Sequence, residues 1–402
     1  MLPGIGVFGT GAIAKVLVPF LKEKGFSVEA IWGVTLPEAE SVAKDLKIPF
    51  FTNKIDDVLL KKNVNLVFIV CAPNLHAQIS VKALGIGKHV VCDKPAGLCQ
   101  AEALKMVRAA QYYPTLISII NHSLRFLPAF VHMKKCILDG YLGNPDDLTL
   151  MDVRVQMGSL LGDTYNWLCD DTMGGGTLTL VGSHVIDLVS FLTGQRVVKV
   201  HGVLKTFVTE TSKVNGIRKI TAPDFCTFQL QMDKGLTVTA TLNNHMPGPC
   251  FNQEIYVCSE KGYLVVRGGD LHGKLHKHNL SKSSSEEDGK RPHDKEDVIY
   301  VDIEDLSCAS SVVPKPYIKG LCKMISALKE AFLPVKEQMD WIKEPVKAAA
   351  TFEDGQRVQA IMEALRQSNE DGRWITVQLL TESPDPNPAL SAAVRRTAIS
   401  IQ

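Results

Sequence analysis

The sequence predicts an α/β chain: a doubly wound parallel sheet in residues 1–122, followed over 123–380 by an α+β unit. Three observations predict it. At 402 residues the chain is long for one hydrophobic core, so two domains are expected. Up to residue 122, short apolar runs alternate with helical patterns, as in a parallel sheet with crossover helices. Beyond Gly143, strand-like runs at 148–155, 199–207 and 236–242 precede a helical pattern, the order of an α+β unit.

The first element is the apolar run GIGVF at 4–8, of strand length, which leads directly into GTGAIA at 9–14. Ile13, Val16, Leu17, Phe20 and Leu21 then recur at helical spacing. Pro19 is expected to kink this helix, and Gly25 to end it. Strand, G-x-G-x-x-A turn and helix together form the dinucleotide fingerprint of a Rossmann domain. Gly9 permits the tight turn, Gly11 lets the backbone approach a pyrophosphate, and Ala14 lets the helix pack on the strand. The amides around Thr10, Gly11, Ala12 and Ile13, with the helix dipole, are expected to hold the phosphate charge.

The second strand, 28–32, runs into Gly33-Val34-Thr35. An acidic residue here would take the ribose hydroxyls of NAD. With neither a carboxylate nor an arginine adjacent, NADP is the expected cofactor and NAD the alternative. Thr35 is a candidate phosphate contact or the N-cap of the next helix.

The run NLVFIVC at 65–71 reads as a central strand buried on both faces. It ends in Cys71, Ala72, Pro73, Asn74, Leu75 and His76, and the next strand ends in Asp93, Lys94 and Pro95. Ligands of such sheets sit beyond the carboxyl ends of the strands. Cys71, Ala72, Pro73, Asn74, His76, Asp93 and Lys94 therefore join Gly33 and Thr35 as candidate cofactor contacts.

Composition excludes other classes. The formal net charge of +1, with no basic block interleaved with aromatics, gives nucleic acid and anionic membranes nothing to bind. No apolar run reaches the roughly eighteen residues of a membrane helix. Residues 5–21 lack the basic start of a signal peptide, so a cytoplasmic location is expected. Ten scattered cysteines without a CxxC pair read as reduced core residues. His272, His276 and His278 lie among lysines with no carboxylate partner, so no metal site is expected. Residues 276–297 read as a solvated insertion loop, and 381–402 as a fraying tail.

GIGVFGTGAIA, APNLHA, ALGIGKHVVCDKPAG, LRFLPA, GGGTLTLVGSHVIDL and TFEDGQRVQAIMEALRQS, spread over most of 4–378, together resemble the Gfo/Idh/MocA oxidoreductases. GFSVEAIWG, RFLPAFV, DLVSFLTG and KVHGVLKTFV are similar, more narrowly, to the animal glucose-fructose oxidoreductase domain-containing branch. The resemblance implies an open, mainly antiparallel sheet in the second domain that covers the cofactor, and a homodimer or homotetramer. It also keeps an extracellular location open.

The resemblance implies that Lys94, in CDKPAG, polarises the reacting oxygen, helped by a cis peptide before Pro95, with Asp93 where relatives carry Glu. It implies that His184 exchanges the hydroxyl proton, which an imidazole does near neutral pH. Where active relatives carry an Asp four residues before this histidine, the chain has Leu180; Asp187 lies three residues after it. His122, Arg125, Trp167 and Asp171 are candidate substrate contacts. A structural ion pair for Arg125 and core packing for Trp167 are the competing explanations. The expected activity is NADP(H)- or NAD(H)-dependent hydride transfer to or from a small sugar, cyclitol or related polyol. The alternative is a cofactor-binding redox sensor or interaction module without turnover.

Overall fold

The computed structural model describes residues 2–159, 161, 164–210, 219–246, 250–276, 296–303, 313–333 and 346–382. The expected insertion at 276–297, apart from its ends, and the tail beyond 382 lie outside the described residues.

The first domain opens with β1 (Ile5–Phe8), α1 (Ala12–Glu23), β2 (Val28–Trp32), α2 (Leu36–Asp45), β3 (Phe51–Thr52) and α3 (Ile55–Leu59). It continues with β4 (Leu66–Ile69), α4 (His76–Gly85), β5 (His89–Asp93), α5 (Gln100–Tyr112) and β6 (Ser118–Asn121). β1 and β4 are buried at every residue, as strands covered by helices on both faces must be. The parallel order is β6-β5-β4-β1-β2-β3, so the strand order reverses between β1 and β4 and opens a crevice at their carboxyl ends. α1 continues through Pro19, and Gly25, at φ +89°, closes it.

The second domain comprises α6 (Pro128–Leu138), β7 (Leu150–Gly158), α7 (Ser183–Thr193), β8 (Val197–Lys205), β9 (Phe225–Met232) and β10 (Thr237–Met246). β11 (Phe251–Ser259), β12 (Gly262–Arg267), β13 (Asp270–Leu275) and β14 (Asp297–Tyr300) follow, and then α8 (Lys315–Phe332), β15 (Ala350–Thr351), α9 (Phe352–Asp371) and β16 (Ile375–Thr376). Nine strands form one sheet, antiparallel throughout except where β10 runs parallel to β7. On β7, Met151, Val153, Val155 and Met157 face the core, while Asp152, Arg154 and Gln156 alternate outward. α6, α7 and α9 cover the inner face, sharing a core with those strands. The helical run 171–193 has the length and hydropathy of a membrane span, yet 83% of its most apolar window is buried inside the fold.

The chain does not leave the first domain for good at residue 122. β15 adds an antiparallel strand to the edge of β6. α8 lays Leu321, Ile325 and Leu328 into the same core as Leu17 and Phe20 of α1. α9 starts at a capping box in which Thr351 and Asp354 satisfy each other's backbone amides. It then contacts both domains, sharing the C-terminal core through Ile361 and Leu365.

Candidate active site

Two glycines at the end of β1 are glycine for different reasons. Gly9 has φ +128°, and a Cβ there would lie 2.7 Å from the Val70 carbonyl oxygen, so the fold itself demands it. Gly11 has φ −72°, which any residue adopts, and a Cβ there would meet nothing within 4 Å. The fold gives no reason for its lack of a side chain; the open space lies at the N-terminus of α1, where the amides of Ala12, Ile13 and Ala14 have no partner within the helix. A diphosphate fits this cradle, and a side chain would fill it.

At the end of β2, a Cβ added at Gly33 would lie 3.0 Å from the Thr10 methyl group, and Thr35 is the N-cap of α2 without a side-chain capping bond. The Thr10 hydroxyl donates to the Glu38 carboxylate. A carboxylate therefore does stand at this end of the sheet, against the expectation from Gly33-Val34-Thr35. It arrives from the first turn of α2 rather than from the strand end. Val34 and Leu36 expose apolar side chains beside it.

After β4, Ala72 caps the short turn Pro73–Leu75, with Pro73 buried, Asn74 exposed and Cys71 half-buried. Burial pushes the Cys71 thiol up to about 12, so it stays protonated. His76 is buried with its ring nitrogens 2.8 Å from the Pro95 carbonyl oxygen and 3.0 Å from that of Cys71. Burial lowers it below the ordinary histidine range. His76 thus ties the end of β4 to the loop after β5, the geometry of a positioning residue. In that loop the Lys94–Pro95 peptide is cis, as the resemblance implied. Asp93 at the end of β5 accepts from Asn121 of β6 at 3.1 Å.

Lys94 reaches across the domain boundary, and its Nζ donates to the Leu180 carbonyl oxygen at 2.8 Å. Leu180 lies in a π-helical turn, Leu178–Gly182, that feeds into α7 and locally loosens the backbone ladder. The main chain of residue 180 thus holds the lysine, although its side chain is apolar. Burial pushes the Lys94 ammonium down to about 8, with Asp93 opposing.

One turn further on, His184 is 5% exposed, with its Nδ1 buried and unpartnered. Burial, with Lys94 and His122 adding to it, holds this imidazole well below its ordinary value. His122 stands edge-to-face on His184 at 5.4 Å, with both ring nitrogens buried and unpartnered. Burial lowers it too. On another side Tyr317 of α8 meets His184 edge-on at 4.9 Å, its hydroxyl equally unpartnered. Tyr317 escaped the sequence: it is 133 positions from His184, in a segment without a motif.

Three candidate residues behave otherwise. Arg125, 8% exposed, forms a two-pronged pair with Asp187, 2% exposed, at 2.6 and 2.8 Å, and also reaches Asp354 at 3.3 Å. Its guanidinium is committed to an ion pair rather than offered to a ligand, and Asp187 turns to Arg125 rather than to His184. Asp171 pairs with Arg366 at 3.3 Å. Trp167 sits half-buried in a short turn, Trp167–Cys169. Among the described residues no group of three metal ligands occurs.

The sequence model described as "Oxidoreductase family, NAD-binding Rossmann fold" matches residues 4–120, and that of the "GFO/IDH/MocA C-terminal domain" matches 130–265. Glucose-fructose oxidoreductase domain-containing protein 1 of Xenopus tropicalis is 45% identical over 403 residues, covering 100% of both chains. Glucose-fructose oxidoreductase domain-containing protein 2 of Homo sapiens is 44% identical over 98% of this chain and 99% of its own. Among solved structures, levoglucosan dehydrogenase in complex with NADH and L-sorbose superposes with a TM-score of 0.74 at 17% identity, covering 94% of this chain and 99% of that one.

Proposed function

The chain belongs to the Gfo/Idh/MocA oxidoreductase family, and from that premise we propose that it transfers hydride between a nicotinamide dinucleotide and a carbinol carbon of a sugar, cyclitol or related polyol. The observation that carries this is that Lys94, from the cofactor domain, is held on the Leu180 carbonyl one helical turn before His184, close enough for its charge to act on that imidazole, whose Nδ1 is buried and unpartnered. When bound, the nicotinamide supplies the hydride acceptor or donor. The amides after Gly9 and Gly11 would hold the diphosphate of the dinucleotide. Neutral His184 takes the proton of the hydroxyl group, which leaves electron density to push out the hydride. Lys94 keeps one N–H on Leu180 and has two more for the reacting oxygen, whose developing charge it stabilises. Levoglucosan dehydrogenase, which shares the fold, is held in complex with NADH and L-sorbose, a ligand pair of the proposed classes.

For the cofactor, NAD(H) fits better than NADP(H). Glu38 brings a negative charge to the loop end of β1 and β2, residues 33–38 contain no cation, and Val34 and Leu36 expose apolar side chains that suit an adenine, which together support NAD. Glu38→Gln is expected to shift the NADPH-to-NADH ratio of dissociation constants toward NADPH by about tenfold, or 1.4 kcal/mol. A wild-type protein that binds NADPH as tightly as NADH, by titration of nicotinamide fluorescence, would refute the assignment.

The pH dependence follows from the two shifts. His184 is lowered, so it remains a base down to pH values below the ordinary histidine range. Lys94 must be protonated to donate, and that form is lost as pH rises through about 8. The kcat/KM of alcohol oxidation is expected to be level through neutrality and to fall on the alkaline side. Rates still climbing at about pH 10, near the ordinary lysine value, would contradict the role given to Lys94.

Leu180 favours a second reading, cofactor binding without turnover, because the carboxylate of active relatives is missing there. It expects NADH binding but no absorbance change with any polyol.

A further inference from the structure

We propose that Tyr317 and His122 are substrate-binding groups that hold the hydroxyls beside the reacting carbon, and that the site selects uncharged polyols over phosphorylated or carboxylated sugars. The inference rests on the active-site reading above and names its substrate subclass.

Four buried polar atoms without partners surround one histidine: both nitrogens of His122, Nδ1 of His184 and the Tyr317 hydroxyl. Leaving each such group unpaired costs about 1–3 kcal/mol. Folded proteins pair nearly all such groups, so unpaired atoms on three rings that pack together at His184 call for a ligand that pairs them. Tyr317 is placed there firmly. Its neighbour Ile318 is buried in the core shared with α1, while Tyr317 itself packs against the core of the other domain. Phe251 of β11 holds its ring edge-on at 6.0 Å. The ring therefore stands at the seam between the domains, edge-on to His184, the imidazole on which the Lys94 charge acts.

The chemistry of the cluster is neutral. Burial pushes the Tyr317 phenol up, so it keeps its proton. The two imidazoles are lowered and carry one N–H and one lone pair each. Groups that each donate and accept match sugar hydroxyls, which also donate and accept. An anion requires cations, and these are committed elsewhere. Arg125 is paired with Asp187 and Asp354, and those two carboxylates themselves act on His122. Lys94 remains, and it serves the reacting oxygen. An additional phosphate or carboxylate would be desolvated beside this cluster without compensation.

The test is steady-state turnover by the full-length chain with NAD. Xylitol, D-glucose and myo-inositol serve as neutral probes, and D-glucose 6-phosphate and D-glucuronate as charged ones. Neutral probes are expected to be used at least an order of magnitude more efficiently than charged ones. Tyr317→Phe, which keeps the ring, and His122→Asn are each expected to raise KM about tenfold, the loss of one hydrogen bond to substrate. The NADH dissociation constant should not move. Wild-type KM values in both variants, or a preference for the charged probes, overturn the inference and leave the oxidoreductase reading standing. Binding of NADH with no turnover of any probe removes that reading and this inference together, and is visible in the wild-type protein alone.

Discussion

Replacing Lys94 with Ala is expected to lower kcat/KM by a factor of about a hundred to ten thousand, and His184→Ala by a similar factor. NADH affinity should remain, because neither side chain belongs to the cradle at Gly9 and Gly11. Lys94→Arg is expected to fail as well. The amine donates to the Leu180 carbonyl at 2.8 Å, and a planar guanidinium is neither the size nor the shape of an ammonium. The two losses should not add in the double variant, since both residues act on one oxygen and its proton. Unchanged turnover in either single variant would show that the proton and the charge are handled elsewhere.

The second large effect concerns stability. Arg125→Ala strands Asp187, which is 2% exposed, as an unpaired buried carboxylate. A cost of about 3–5 kcal/mol is expected, read as a lowered unfolding midpoint in urea. Replacing both partners with apolar residues, Arg125→Met with Asp187→Leu, should recover much of it, because the penalty lies in the orphaned charge rather than in the lost attraction. The same variant separates the two roles considered for Arg125. A substrate contact would give a raised KM with normal stability; a lowered midpoint identifies the ion pair that braces α7 against the loop after β6 and the start of α9.

Legibility in the sequence followed the range of the interactions. Gly9, Gly11, the buried strand at 65–71 and the final helix announce themselves because turn chemistry and periodicity are local properties. The loop carrying Lys94 and the helix carrying His184 were found through a shared motif pattern, which stores their geometry indirectly. What stayed hidden arises between distant positions. Thr10 and Glu38 are 28 residues apart, Arg125 and Asp187 62, and Lys94 and the Leu180 carbonyl 86. No periodicity specifies such pairs; the approach of α2 to the loop after β1, of α7 to the turn after β6, and of the loop after β5 to the turn before α7 creates them. The return of α8 and β15 to the first domain was also invisible, since an apolar helix face does not state which core it enters. The side chain of residue 180 suggested weakened chemistry because a sequence displays side chains, whereas Lys94 is held there by a backbone carbonyl.

Gly11→Val offers the most direct test of the arrangement on which all the chemistry depends. A Cβ there meets nothing within 4 Å and the backbone already suits it, so the loss of stability should stay within about 1 kcal/mol, the cost of exchanging Gly for Val as N-cap. Titration with NADH should show saturable binding to wild type and its loss in the variant. Binding of NADH equally well by both proteins, or by neither, would contradict a diphosphate seated on the amides that follow Gly11.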